Sequence, residues 1–278
     1  MLEEGATLAR TLAPLLCHSP NGRDTCAALH GVWTELRTLG LAAEPSRHAT
    51  FYAETLGACV ARGATRVLIS ACADWGMLET VLAAYREFGA NVDVTVVDRC
   101  PTPTLTCAWY ASRVGVPVRT AVGDVLEWGE DEDFDVVCTH SLLTYPDDTG
   151  RRKLIANWQR VLRPGGAVVT VSRLSTDPVG DVDDARARSF GDLAVAARRR
   201  IDPDADCAEL RAGAERFAKA QVSNPVGTEA DLRSLFEDQG FVIHGLGVRR
   251  LEGVMSKTAP VVGAARPGQY GELLAVRQ

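Results

Sequence analysis

The sequence lacks the features that mark several classes of protein. No apolar run approaches the ~20 residues that a membrane-spanning helix needs. The first ten residues, MLEEGATLAR, have neither the basic start nor the apolar core of a secretory signal, so we expect a cytoplasmic protein. Acidic residues number 36 against 30 basic ones, giving a net charge of −6. This charge argues against a general binder of nucleic acid or anionic membranes.

Paired cysteine motifs are also missing. The eight cysteines form no CxxC pair, and no CxxC…HxxxH spacing occurs. Several lie in apolar runs, as Cys138 does in FDVVCTH. We interpret them as small core residues in a reducing compartment and expect no metal site.

The length of 278 residues suits one large domain or two small ones. Residues 1–62 place apolar side chains at helical spacing, which predicts a helical N-terminal extension. From Gly63 onwards, short apolar runs rich in β-branched residues alternate with helical stretches. This alternation predicts an α/β fold, a doubly wound and mostly parallel seven-stranded sheet spanning residues 63–268.

Two features interrupt the alternation. Residues from about 174 to 226 contain two helical patterns in succession, which predicts a helical cap inserted over the sheet. Further on, FVIHGLGVRRL and PVVGAAR follow one another with no helix between them. Two strands joined directly pair antiparallel, so we expect an antiparallel last strand at PVVGAAR, with residues 269–278 as a C-terminal tail.

The residues that follow each strand are the candidates for a site, because ligands of doubly wound sheets bind at the carboxyl ends of the strands. The first strand, TRVLIS, leads into the small-residue turn ACADWG and then a helix, whose N-terminus offers free N–H groups. The second strand ends at Asp98, 22 residues beyond Gly76, where an acid can accept hydrogen bonds from ribose hydroxyls.

The third and fourth strand ends carry further polar residues. At Gly123-Asp124-Val125, the acid can accept from an adenine amino group while Val125 covers the ring. The fourth strand ends in Thr139-His140-Ser141. Each acid taken alone is as well explained as a helix N-cap, but four polar strand ends in this order predict a nucleotide-like ligand.

These motifs resemble those of the class I S-adenosylmethionine-dependent methyltransferases over about residues 64–175 and 227–267. The segments that carry the resemblance are VLISACADWG, VVDRC, GDVLEW, FDVVCTHSLL and VLRPGGAVVTV. The resemblance implies S-adenosylmethionine as the cofactor. It implies that these residues bind the cofactor: Ala71, Cys72, Ala73, Asp74, Gly76, Asp98, Arg99, Asp124, Val125, Thr139 and His140.

The chain departs from the family pattern near the first strand. Ile69-Ser70 stands where the family usually has an acid, and Ala71 and Ala73 stand where it has glycines. Because alanine does not adopt positive φ cheaply, we expect this turn to follow a different path or to keep ordinary backbone angles.

Three side chains are candidates for catalysis. His140 has a side chain suited to a general base and follows the fourth strand. Tyr145 could face a sulfonium cation with its ring. Tyr52, with His48 and Arg47 on the preceding helix, could close over the methionine end of the cofactor. Helix packing is an equally good explanation for these last three.

The resemblance therefore favours a small-molecule methyltransferase of bacterial metabolism, with a small-molecule partner, no nucleic acid and no membrane. The sequence leaves open whether two copies of the chain form a homodimer. One alternative is a lyase or cyclase of the same fold that uses S-adenosylmethionine as its sole substrate and releases methylthioadenosine and a small cyclic amino acid. Another alternative is a non-catalytic binding module.

Overall fold

The computed structural model describes residues 1–17, 25–131, 133–176, 182–220, 223–251 and 268–278. Within these ranges, none of the helices combines the length and apolar character needed to cross a membrane. The chain divides into two compact units. We call residues 1–43, 177–223 and 251–268 the helical unit, and residues 44–176, 224–250 and 269–278 the sheet unit.

The described residues form ten α-helices, numbered here in chain order. They are α1 Leu2–Leu16, α2 Thr25–His30, α3 Trp33–Thr38, α4 Ala49–Ala61, α5 Gly76–Glu87, α6 Pro101–Val114, α7 Asp148–Val161, α8 Asp184–Ile201, α9 Ala208–Ala220 and α10 Glu229–Glu237. Short 3-10 turns lie at Pro45–His48 and Leu142–Thr144.

Seven strands form one mixed sheet. They are β1 Arg66–Ser70, β2 Asp93–Asp98, β3 Arg119–Val122, β4 Phe134–His140, β5 Leu162–Leu174, β6 Phe241–Leu251 and β7 Gly268–Arg277. Their order across the sheet is β3-β2-β1-β4-β5-β7-β6. Strands β1 to β5 pair parallel, and β7 pairs antiparallel with β5. The predicted doubly wound, mostly parallel sheet with an antiparallel last strand is confirmed.

The central strands are buried because most of their residues are apolar. In β4 every residue from Phe134 to Thr139 is buried, and only the last residue, His140, is half-buried. Trp158 of α7 stacks on Phe236 of α10 in the core beside this strand, with ring centroids 6.2 Å apart. Apolar strands covered in this way leave polar side chains to the strand ends.

Polar contacts fix β1 against β4 at both ends. At the amino end, one carboxylate oxygen of Asp135 accepts from the backbone N–H groups of Thr65 and Arg66, at 2.6 and 2.9 Å. At the carboxyl end, Thr139 donates its hydroxyl to the Ser70 carbonyl, 2.7 Å away. The register of the two strands is therefore set by the acceptors Asp135 and Ser70 as well as by the backbone hydrogen bonds between the strands.

The C-terminal assignment was wrong. Residues 269–278, predicted to be a tail, belong almost entirely to β7, which lies between β5 and β6. The segment forms a strand because it contains the apolar run LLAV, and it buries Tyr270, Leu273 and Ala275 in the sheet unit. The segment PVVGAAR, predicted to be the last strand, lies outside the described residues.

The N-terminal boundary also differs from the prediction. The first segment of the helical unit ends at Ala43. Helix α4, which was predicted to belong to the extension, is therefore part of the sheet unit. Within the predicted extension, α2 and α3 are separate helices with a turn at Gly31-Val32 between them.

The helical unit has its own core. Helices α8 and α9, predicted within the insertion, pack on each other and, with α2 and α3, share a cluster of buried side chains. Phe190 of α8 and Phe217 of α9 meet there with ring centroids 6.1 Å apart. The N-terminal helices and the inserted helices therefore form one compact unit, and the action of this unit as a substrate cap stays a prediction.

Ser70 provides a test of the contact at the carboxyl end of β1. Its buried hydroxyl accepts from the indole N–H of Trp158 at 3.0 Å. Ser70→Ala leaves that buried N–H without an acceptor and should lower the free energy of unfolding by about 1–3 kcal/mol, as measured in urea. Ser234→Ala, on the exposed side of α10, should change it by less than about 0.5 kcal/mol. Equal values for the two variants would contradict the role of Ser70.

Candidate functional site

The carboxylate of Asp98, at the end of β2, holds two backbone segments. Its Oδ2 accepts from the N–H of Cys72, at 3.1 Å, and its Oδ1 accepts from the N–H of Cys100, at 2.8 Å. Cys72 lies in the turn after β1, and Cys100 is the N-cap residue of α6. The predicted ribose-binding acid therefore also orders the turn that was predicted to bind the rest of the cofactor.

Ala71 adopts φ +59°, in the left-handed region. This corrects the expectation that the alanine-substituted turn would keep ordinary backbone angles or take another path. The backbone is held there because Ala71 donates its N–H to the Val97 carbonyl, at 2.8 Å, and the next N–H goes to Asp98. Left-handed backbone costs an L-residue about 1–2 kcal/mol, which these tertiary hydrogen bonds offset.

Ser141, at the end of β4, adopts φ +56°. Within the described residues, Ala71 and Ser141 are the two non-glycine residues with positive φ. Since β1 and β4 are neighbours, both strained positions lie at one place on the carboxyl edge of the sheet. Strain of this kind clusters at ligand sites in folded proteins.

The remaining residues of the first turn are partly engaged in capping. Asp74 is buried and accepts from the N–H of Gly76 at 2.8 Å, at the start of α5. Ala73 is half-buried. Arg99, which follows Asp98 at the end of β2 and was also predicted to bind the cofactor, is exposed. Trp75 is fully buried and stacks on Tyr110 of α6, with ring centroids 5.9 Å apart, so packing explains this aromatic residue.

Asp124 and Val125 lie next to Asp98. The N–H of Gly123 donates to the Asp98 carbonyl at 3.0 Å, which brings the end of β3 beside the end of β2. The Asp124 side chain is exposed and accepts from the N–H of Leu126, at 3.0 Å. Val125 is half-buried against the core. The two predicted adenine residues thus stand one strand beyond the predicted ribose residue, in the order that the sequence implied.

A hydrogen-bond chain orients His140. The buried Tyr52 hydroxyl lies 2.9 Å from the Thr139 carbonyl oxygen and 3.1 Å from His140 Nδ1. A phenol has one proton, and a carbonyl can only accept, so both contacts are satisfied when Tyr52 donates to Thr139 and His140 Nδ1–H donates to Tyr52. The lone pair of His140 is then on Nε2, which is the nitrogen that can take a proton.

Burial keeps Tyr52 in its protonated form. The side chain is fully buried, and this burial, reinforced by the nearby Glu272 charge, raises the pKa of Tyr52 well above 10. The phenol therefore stays neutral over the physiological pH range and keeps the proton that it donates to Thr139. Of the predicted catalytic residues, the structure brings Tyr52 and His140 together.

A second histidine lies beside the first. His48 is completely buried, its ring centroid is 5.4 Å from that of His140, and its Nδ1 lies 2.6 Å from Oε1 of Glu272. The carboxylate accepts from Nδ1–H, which places the His48 lone pair on Nε2. That atom is buried and has no hydrogen-bond partner among the described residues. An unsatisfied buried acceptor costs about 1–3 kcal/mol and calls for an explanation.

Strand register explains why Glu272 reaches this place. His140 pairs with Val171 on β5, and Val171 pairs with Glu272 on β7. Residues in register on neighbouring strands project from the same face of a sheet, so His140 and Glu272 flank Val171 on one face. His48 fills the space between them, with Tyr270 of β7 on its other side at a centroid distance of 5.4 Å.

Tyr145, the third predicted catalytic residue, lies toward the cofactor side. It follows the 3-10 turn after β4 and is 39% exposed. Burial around its hydroxyl and the charge of Asp98 raise the pKa of Tyr145 to about 12. Its hydroxyl is therefore within electrostatic reach of the predicted ribose acid, and its backbone carbonyl accepts from the Asn224 side chain at 3.0 Å.

Comparison with known proteins agrees with this geometry. Residues 75–166 match the family model described as a methyltransferase domain. The matched segment lies in the sheet unit and runs from α5 to the start of β5. No sequence among the curated proteins matches the chain significantly.

Solved structures share the fold of this chain at low identity. The 4+2 cyclase SpnF has a TM-score of 0.52 and 15% identity, over 83% of this chain and 80% of that one. A geranyl diphosphate methyltransferase in complex with GPP and sinefungin has a TM-score of 0.51 and 16% identity, over 84% and 77%. TehB from Haemophilus influenzae has a TM-score of 0.52 and 13% identity, over 81% and 62%.

The sequence analysis missed Glu272. It lies in the segment read as a tail, although GQYGELLAVR contains the apolar run LLAV, which is typical of a buried strand. His48 was noted as a residue near the site, but its carboxylate partner is 224 positions away in the chain. The apolar run was the signal that could have identified this strand.

Ala71→Gly tests the strain in the cofactor turn. Glycine removes the left-handed penalty but adds about 0.4–1 kcal/mol of unfolded-state entropy, so we expect a free energy of unfolding equal to wild type or higher by up to about 1 kcal/mol. Ala73→Gly is the matched control, because Ala73 lies in the same turn and is not among the residues with positive φ. The free energy of unfolding of this control variant should fall by about 0.4–1 kcal/mol. Equal losses in urea unfolding would show that Ala71 is unstrained.

The pH dependence of stability tests the burial of His48. Burial lowers the pKa of His48 below its ordinary value of 6.5, against the opposing effect of Glu272. The unfolded chain then binds more protons than the folded one between the two pKa values. His48 therefore contributes stability that is complete above about pH 6.5 and is lost as the pH falls toward the folded pKa, with a slope of up to about 1.4 kcal/mol per pH unit.

The measurement is urea unfolding at several pH values between about 8 and 5. His48→Gln should flatten the pH dependence below about 6.5, whereas His244→Gln, which removes an exposed histidine of β6, should leave it as in wild type. The same slope in wild type and His48→Gln would mean that His48 does not titrate differently on folding.

Proposed function

We propose that the chain is an S-adenosylmethionine-dependent methyltransferase that acts on a small molecule, with His140 as the general base. The observation that carries the proposal is the Tyr52–His140 hydrogen bond, which engages Nδ1 of His140 and leaves Nε2, at the carboxyl end of β4, as the nitrogen that can take a proton. This position adjoins the strand ends that carry Asp98 and Asp124 in the order used by the fold to bind its cofactor.

The residues present fit the cofactor. Asp98 is 8% exposed and is held by backbone N–H groups of two elements. Because a carboxylate has about four acceptor sites, one oriented in this way can also accept from ribose hydroxyls. Asp124 is exposed at the next strand end and can accept from the adenine amino group, with Val125 beside it. When bound, S-adenosylmethionine supplies an activated methyl group.

The chain then has to position the acceptor and take its proton. His140 is half-buried, so its imidazole is within reach of a ligand while Tyr52 behind it is fully buried. Nε2 can take the proton of an acceptor hydroxyl, amine or acidic carbon, a contribution of roughly 10²–10⁴-fold. His48 and Glu272 place a carboxylate–imidazole pair beside the imidazolium that forms, and their negative charge stabilises it.

A small molecule is the acceptor that the composition favours. The net charge of −6 opposes a nucleic acid, which is bound mainly through phosphate contacts from Lys and Arg. The bacterial, cytoplasmic setting and a homodimeric assembly belong to the same proposal and await their own tests.

The proposal is tested with methyl-deuterated S-adenosylmethionine and a low-mass extract of bacterial metabolites, followed by mass spectrometry. We expect S-adenosylhomocysteine together with one deuteromethylated small molecule. His140→Gln should reduce that product by roughly 10²–10⁴-fold and leave cofactor binding in calorimetry nearly unchanged. His244→Gln is the matched control and should behave as wild type.

Other outcomes would overturn parts of the proposal. Methylthioadenosine formed without any acceptor would assign the chain to the cyclase or lyase alternative. Absence of cofactor binding would assign it to the non-catalytic alternative. A loss of less than tenfold in His140→Gln would mean that His140 is not the base.

A further inference from the structure

Three potential metal ligands converge in the helical unit. Cys17 is the C-cap residue of α1, whereas Cys26 and His30 stand four residues apart on α2 and so share one face of that helix. The Cys17 Sγ lies 3.4 Å from His30 Nδ1, and the Cys26 Sγ lies 3.3 Å from the same nitrogen. The three ligand atoms all lie within 4.8 Å of one another.

The two sulfur atoms lie against one ring nitrogen. Cys17 and His30 are buried and Cys26 is half-buried, so water has little access to this point. Thiols are weak partners for hydrogen bonds, whereas thiolates and imidazole nitrogens are strong metal ligands. A cation at a point shared by all three atoms could be bound by each of them at once.

We propose that Cys17, Cys26 and His30 bind a zinc ion. Two thiolates and an imidazole nitrogen are ligands that Zn²⁺ prefers and that Mg²⁺ and Ca²⁺ do not. Zn–S bonds of about 2.3 Å and a Zn–N bond of about 2.0–2.1 Å, in a tetrahedron, put sulfur and nitrogen about 3.6 Å apart. The observed separations of 3.4 and 3.3 Å correspond to S–Zn–N angles of about 100°.

Binding changes the protonation of the ligands. Zn²⁺ replaces the thiol protons of Cys17 and Cys26, so two protons are released, and His30 binds through the lone pair of neutral Nδ1. Affinity should therefore fall as the pH falls. These three side chains leave the fourth tetrahedral position to a further donor.

The position of the ligands indicates a structural role. The ion would join the C-terminal end of α1 to α2, which has only six residues. An isolated helix of this length is marginal in water, because nucleation is costly and few hydrogen bonds follow it. Zinc would thus stabilise the helical unit, and this role does not depend on the proposed methyl transfer. The absence of CxxC, from which no metal site was expected, gave no hint of these ligands because Cys17 and Cys26 are separated by eight residues.

The test is the metal content of the full chain, produced without an affinity tag because polyhistidine binds zinc. Plasma mass spectrometry after gel filtration should find about one zinc per chain. Cys26→Ser and His30→Ala should each reduce the zinc content at least tenfold. Cys207→Ser is the matched control, because Cys207 is a buried cysteine of the same helical unit, and it should retain the wild-type zinc content.

A second measurement uses the wild-type chain alone, in case the ligand variants fail to fold. Replacing zinc with Co²⁺ should produce thiolate-to-cobalt charge-transfer absorption in the near ultraviolet, and a strong chelator should lower the melting temperature. Less than about 0.1 metal per wild-type chain, with no uptake of Zn²⁺ or Co²⁺, would overturn the proposal. Equal zinc loss in Cys207→Ser, or iron or copper in place of zinc, would overturn the assignment of ligands or of metal.

Discussion

The carboxyl edge of the sheet depends on one buried carboxylate. Asp98 accepts backbone N–H groups from the turn after β1 and from the N-cap of α6, and so it joins two strand ends and one helix start. Hydrogen bonds to a charged acceptor contribute more than neutral ones, about 1.5–3 kcal/mol each. This contribution is large enough to hold Ala71 in a left-handed conformation that its side chain disfavours. The turn after β1 is held in place by the hydrogen bond to Asp98, and not by the conformational freedom of glycine residues.

Beyond β1, the same edge is organised by histidines. Tyr52 fixes the tautomer of His140, and Glu272 fixes that of His48, so two imidazoles stand side by side with defined donor and acceptor nitrogens. Each histidine is oriented by a group on another element, α4 for one and β7 for the other. Orientation through packed elements is what a positioned base requires, since loops place side chains less accurately.

The sequence predicted what depends on local pattern and chain order. Strands β1 to β5 and the strand-end residues Asp98, Asp124 and His140 follow from apolar runs that end in polar residues, and their order in the chain gives their order in the site. It could not predict contacts that depend on distant register. Glu272 reaches His48 only because β7 inserts between β5 and β6, and PVVGAAR offered a more apolar strand nearby. The backbone conformation of Ala71 was predicted wrongly because only its local steric cost was considered. The hydrogen bonds of this turn to Val97 and Asp98 offset that cost.

The unfavourable features of the sheet unit occur at one place. Ala71 and Ser141 have left-handed backbone at the ends of neighbouring strands. Close to His140, His48 has a buried nitrogen that finds no hydrogen-bond partner in the described part of the chain. Each feature costs on the order of 1–3 kcal/mol, and their sum is a large part of the stability of an average domain. Glycine at Ala71 is an ordinary substitution that would remove one of these costs without disturbing the strands. Their joint placement beside the proposed base is explained if a ligand bound there makes use of the turn and of both imidazoles.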